Sequence, residues 1–146
     1  MAEAREGEIL CAAARNVLET MFFTSIMGER QEPLENPGLE ALVSFEGDPS
    51  GAFGLKLTTN AARAVAANFL GVEDEAELTE SQIGDVACEL ANMICGAMLS
   101  QVESGSTFHI SHPRLVDAGS AGAGAVERFF DLDNGALGLW VSFGRN

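Results

Sequence analysis

Positive charge is scarce in this chain: 8 lysines and arginines stand against 22 aspartates and glutamates, for a formal net charge of −14. That balance opposes the phosphate backbone of nucleic acid and the anionic leaflet of a membrane, so neither is an expected partner. It suits instead the steering of a partner that carries a basic patch. Long apolar runs are missing too. No stretch approaches the roughly 18 residues of a bilayer span, and Met1 to Ile9 lack the basic-then-apolar order of a secretory signal. A cytoplasmic protein is expected. Cysteine is limited to Cys11, Cys88 and Cys95. The odd count, with all three inside helical patterns, points to reduced, mostly buried thiols rather than a disulfide framework.

The motifs of self-contained enzymes are also absent. There is no Gly-x-x-x-x-Gly-Lys-Ser/Thr loop, and Gly119-x-x-Gly122-x-Gly124 neither follows a convincing strand nor opens a helix. No Gly-x-Ser-x-Gly elbow occurs. Cys88 and Cys95 lie seven residues apart, not in a Cys-x-x-Cys pair, and read as packing residues. His109 and His112 straddle a strand end without further ligands nearby and read as structural. Met21, Met27, Met93 and Met98 read as filling between helices rather than as an adaptable interface. A resident metal, a bound nucleotide and an internal nucleophile are therefore not expected.

What is present is enough for one domain over residues 1–146, 47% of them apolar. Ile9, Leu10, Ala13, Val17 and Met21 recur at helical spacing and predict a first helix over Glu8 to Ser25. Gly28 to Gly38, with Pro33, Pro37 and many charges, reads as an exposed connection. Leu42 to Gly47 and Ala52 to Leu57 flank the turn residues Asp48-Pro49-Ser50-Gly51, a hairpin signal. Thr59 or Asn60 can cap a second helix, Ala61 to Leu70, which Gly71 ends. Val72 to Glu77 forms its exit loop. Thr79 and Gln82 form a capping box that opens a long third helix to about Glu103, before Ser104-Gly105. Thr107 to Ile110 reads as a short strand stopped by Pro113, and Asp117 to Gly124 as a loop. Val126 to Leu132 and Ala136 to Phe143 around Asp133-Asn134-Gly135 give a second hairpin. The order predicts an α+β fold: two layers, a mostly antiparallel sheet with helices packed on one face.

The third helix carries the pattern that bears on function. At about 100° per residue, Asp85, Glu89 and Asn92 fall within roughly a sixth of the circumference, and Gly96 extends the stripe by a turn. The opposite arc holds Ile83, Val86, Leu90, Met93, Ile94, Ala97 and Met98, so the stripe faces outward. Gly96 costs about 1 kcal/mol against Ala inside a helix, and its missing side chain would let another molecule's backbone come close. On spacing alone, solvated surface residues are the commoner explanation. The sharper one is chemical: an asparagine amide can donate to one group and accept from a water, orienting a nucleophile without taking its proton.

Asp85-x-x-x-Glu89-x-x-Asn92 followed by Pro113 resembles the signature of the CheC, CheX and FliY phosphatases, which dephosphorylate the chemotaxis response regulator CheY. The likeness runs through Val43-Ser44-Phe45-Glu46-Gly47, Gly51-Ala52-Phe53-Gly54-Leu55, Phe69-Leu70-Gly71 and Glu89 to Gly96, in the order of CheX-type sequences. The first helix reads Arg15-Asn16-Val17-Leu18-Glu19 and carries no second Glu-x-x-Asn pair, which places the chain nearer CheX than the two-site CheC. The resemblance implies that Asn92 orients the water attacking the phosphoaspartate of a CheY-like regulator and that Glu89 pairs with the regulator's active-site lysine. Asp85 and Gly96 would be supporting contacts. Mg²⁺ would sit in the partner's receiver domain, and the chain would be a homodimer joined through its sheet.

Two other classes compete. A non-catalytic binding module for a receiver domain or another signalling or flagellar component would use the same helix without turnover. A small-ligand sensor would need a pocket between helices and sheet, which an apolar-filled interior would count against.

Overall fold

Strand residues 39–46, LEALVSFE, decide which side of the sheet is covered: Ala41, Val43 and Phe45 are buried, while Ser44 and Glu46 face water. This period-two alternation recurs in residues 51–57, where Phe53, Leu55 and Leu57 are buried, and fixes the register, because a one-residue slip would turn the apolar set outward. The computed structural model describes residues 2–34, 37–102, 107–116 and 125–144. Its elements in order are α1 (Ala2–Met21), β1 (Ile26–Arg30), β2 (Leu39–Glu46), β3 (Gly51–Leu57), α2 (Thr59–Leu70), a 3-10 turn (Glu75–Glu77), α3 (Glu80–Leu99), β4 (His109–Ile110), β5 (Arg114–Val116), β6 (Val126–Leu132) and β7 (Gly135–Phe143). The antiparallel sheet runs β1-β6-β7-β3-β2-β4, with β5 also paired to β2. Helices pack on it, so the α+β fold read from the sequence is the one observed.

Helix α3 lies over β2 and β3, with α1 and α2 against its flanks. Leu18 of α1, Leu90 and Ile94 of α3, and Phe45, Phe53 and Leu139 of the sheet fill the space between layers. Each such side chain contributes about 1.5–3 kcal/mol through removal from water. No helix among the described residues is long and apolar enough to cross a membrane.

The capping chemistry read from the sequence is largely present. Thr79 N–H donates to Gln82 Oε1 at 2.9 Å and Gln82 N–H to Thr79 Oγ1 at 3.1 Å, closing the box at the start of α3. Gly71 ends α2 with φ 72°, a left-handed conformation that glycine adopts without a Cβ penalty. The cap of α2 is Thr58 rather than Thr59 or Asn60, and its hydroxyl accepts from Ala61 N–H.

Several boundaries differ from expectation. Helix α1 begins six residues before Glu8, at Ala2, because alanine, arginine and glutamate favour helix without apolar periodicity. It ends at Met21. Part of the supposed connection is strand β1, paired antiparallel to β6. Its only buried residue is Ile26, and charged residues are what edge strands tend to carry; Arg30 meets Asp131 at 3.5 Å and Glu29 meets Arg128 at 3.6 Å across the pair. Strand β2 starts at Leu39, earlier than Leu42. Helix α3 stops at Leu99, short of Glu103; Ser104-Gly105 and the loop Asp117 to Gly124 lie outside the described residues. Met21 and Met27 are 47% and 66% exposed, so they do not fill the core as expected, whereas Met98 does.

The run that Pro113 stops resumes immediately. Ile110 to Arg114 spans five residues while the facing stretch of β2, Phe45 to Leu42, spans four, so β4 and β5 form one edge strand broken by a bulge. Ser111 bridges the break: its N–H donates to Ser44 O at 2.8 Å, and its Oγ accepts from Ser44 N–H at 2.9 Å. The broken strand borders α3.

On the helix-free face, Trp140 and Glu40 form a buried polar pair. Trp140 Nε1 donates to Glu40 Oε2 at 3.3 Å, with the residues 3% and 2% exposed. The indole can lie there because it rests over Gly54, where any Cβ would collide with Nε1.

Candidate functional site on helix α3

The outward stripe is where the helical spacing puts it. Asp85 and Glu89 are exposed, and Asn92 and Gly96 are half-buried. Val86, Leu90 and Ile94 are buried on the opposite side, joined by Ala87, Ala91 and Cys95, while Met93 and Ala97 of the expected arc lie only half-buried at its border. The apolar arc is wider than expected because α1, α2 and the sheet all press on α3. A helix held on several sides presents Glu89 and Asn92 from fixed backbone, the support a positioning residue needs.

The thiols on this helix are not activated. Burial and the Asp85 carboxylate both push the Cys88 thiol above its ordinary value, and burial pushes Cys95 up to about 12. Nucleophilic cysteines need the opposite shift. All three cysteines are free. His109 and His112 are exposed on the broken edge strand and so are not core histidines. No group of three or more His, Cys, Asp or Glu among the described residues could hold a metal.

A cavity of about 720 Å³ opens between α1 and the β1/β6 edge, lined by Cys11, Arg15, Glu29 and Arg128, and holds none of the stripe. A second, of about 460 Å³, opens at the N-terminal end of α3 between Ile83, Arg63, Leu39 and Leu115. Asp85, Glu89, Asn92 and Gly96 line neither cavity. Sequence reasoning missed Leu115 and Ile110, which border α3: a Cβ on Gly84 would lie 2.9 Å from Leu115 Cδ1, and one on Gly96 would lie 3.9 Å from Ile110 Cδ1. Only the pairing of the broken edge strand with β2 brings them there.

Fold and stripe together define a two-layer α+β domain that carries its candidate chemistry on the outward face of a helix. The family model for chemotaxis phosphatase CheX matches residues 39–127, a segment that includes the whole stripe. The chain belongs to the CheX family. Chemotaxis protein CheX from Vibrio vulnificus is similar over 99% of both chains, at 20% identity and a TM-score of 0.78. CheX from Desulfovibrio desulfuricans matches 96% of this chain and 99% of its own, at 20% identity and a TM-score of 0.76. The CheX-CheY-BeF3-Mg+2 complex from Borrelia burgdorferi matches 94% of this chain and 97% of its own, at 18% identity and a TM-score of 0.78. No curated protein matches by sequence.

Proposed function

We propose that this chain is a cytoplasmic phosphatase of phosphorylated CheY-like response regulators, working with one helix and borrowing the rest of the active site. The observation that carries the reading is the outward Glu89/Asn92 stripe on α3 in a chain of the CheX family. Phosphoryl transfer depends chiefly on positioning and on electrostatic stabilisation of the transferring group. A receiver domain supplies the phosphoaspartate, the Mg²⁺ that neutralises charge and an active-site lysine. This chain adds an amide: Asn92 accepts from the attacking water and donates toward the phosphoryl group, holding the oxygen in line with phosphorus. Glu89, one turn earlier, pairs with the lysine. The BeF3 in the Borrelia burgdorferi complex stands in for the phosphoryl group, so a CheX relative has been seen with CheY in a phosphorylated-like state. A homodimer joined through the sheet belongs to the same reading.

The experiment is the decay of phosphoaspartate on a phosphorylated cognate receiver with Mg²⁺. Wild type is expected to accelerate it, and Glu89→Gln to lower kcat/KM about fivefold, the upper end for an exposed ion pair. An unchanged kcat/KM in Glu89→Gln would remove Glu89 from the mechanism.

Gly96→Ala separates docking from stability. The added Cβ meets only Ile110 Cδ1, at an ordinary 3.9 Å, so the variant is expected to be about 1 kcal/mol more stable through helix propensity. Its phosphatase activity is expected to fall, because the methyl group intrudes where the partner's backbone approaches. Thermal unfolding beside the decay assay checks both; a stabilised variant with full activity would show that nothing packs closely at Gly96.

A further inference from the structure

Two polar side chains do not hold a partner protein through a turnover. A surface ion pair such as one at Glu89 strengthens binding by at most about fivefold, whereas a micromolar complex needs about a millionfold relative to the 1 M reference. Interfaces obtain that strength from a few large side chains desolvated near their centre.

The broken edge strand supplies such side chains beside the stripe. Leu115 is 48% exposed and Ile110 is 36% exposed. The Leu115 side chain lies against α3 at Gly84, one residue before Asp85, and Ile110 lies near Gly96, one turn beyond Asn92. Gly84 and Gly96 are twelve positions apart, or roughly 18 Å along the helix axis, and Asp85, Glu89 and Asn92 fall between them. Leu115 also forms the rim of the 460 Å³ cavity. The missing Cβ matters here: one at Gly84 would force the end of the Leu115 side chain to shift.

We propose that Ile110 and Leu115 are docking residues, apolar shoulders at either end of the stripe that seat the phosphorylated receiver domain while Glu89 and Asn92 act on it. This rests on the phosphatase reading. The occupant follows from reach. A specific interface covers about 800 Å² on each partner, a patch on the order of 30 Å across, so a receiver that brings its phosphoaspartate to Asn92 also covers both shoulders. Their place is to set affinity, not rate.

The test pairs kinetics with binding. A receiver loaded with BeF3⁻ and Mg²⁺, which mimic the phosphorylated state, is titrated with wild type, Leu115→Ser and Ile110→Ser, and each is assayed for kcat and KM on the phosphorylated receiver. Both substitutions are at solvent-facing positions, and far-UV circular dichroism verifies the fold. The expected result is a Kd and KM raised about tenfold by each, with kcat within about twofold of wild type. Phe23→Ser, which removes a side chain 73% exposed at the end of α1, is expected to change neither. Wild-type acceleration with Kd and KM unchanged in both serine variants would overturn the docking proposal alone. Wild-type binding that weakens in both variants, without any acceleration, would keep the docking surface and overturn the phosphatase reading.

Discussion

Asn92→Ala is expected to lose the acceleration of phosphoaspartate hydrolysis, by on the order of a hundredfold or more in kcat, while retaining its affinity for a BeF3⁻-loaded receiver. The asymmetry follows from the work assigned to each residue. In the proposed mechanism the asparagine amide touches the water and phosphoryl oxygens, contacts realised fully only in the transition state, and such contacts govern kcat rather than KM. Truncation to alanine leaves α3 intact, because Asn92 is only half-buried and alanine is the better helix former. Asn92→Asp sharpens the test. It keeps the shape of the side chain but loses the NH₂ donor and sets a negative charge against the phosphoryl group, so it is expected to be as inactive as alanine. A kcat for Asn92→Ala within threefold of wild type would show that the water is oriented by something else.

The second large effect is on stability and lies on the opposite face of the sheet. Trp140→Ala is expected to cost about 3–5 kcal/mol, the range for truncating a buried tryptophan, and to lower Tm by about 10 °C or more. The indole is 3% exposed, rests over Gly54 and donates to the buried Glu40 side chain, so its removal leaves a void and takes a donor from a buried polar group. Gly54→Ala reaches the same arrangement from below. Its Cβ collides with the indole and is expected to cost about 1–3 kcal/mol by overpacking. Trp140 is the sole tryptophan of the chain, so in Gly54→Ala the fluorescence emission should move to longer wavelength as the ring is lifted into water. A denaturation midpoint for Trp140→Ala equal to wild type would show that this face contributes little to the fold.

That buried pair also marks where sequence reasoning stops. The elements with strong local signals, the Thr79/Gln82 capping box, the Gly71 stop and the two hairpins, could be read because their causes lie within a few residues of one another. The stripe on α3 was legible for the same reason. Glu40 was not: a glutamate near a strand start looks solvated, yet this one is buried and accepts from a tryptophan 100 positions away. β1 was hidden by its edge position, where a single buried isoleucine leaves no alternation to detect. Leu115 and Ile110 were hidden by topology, since their nearness to α3 depends on pairing with β2 across a proline break. Local physics thus located the proposed chemistry, and long-range pairing located its proposed grip.

The measurement that tests the central claim most directly is turnover by wild-type protein at low stoichiometry. A phosphorylated cognate receiver in about tenfold excess, with Mg²⁺, is followed by phosphoaspartate content, with and without this chain. The phosphatase reading predicts that the whole receiver pool is dephosphorylated faster than its spontaneous decay, each molecule of this chain serving many receivers, and that the acceleration vanishes with Asn92→Ala. A decay curve identical to that of the receiver alone, from a wild-type protein that binds the phosphorylated form, would contradict it and leave a binding module in its place.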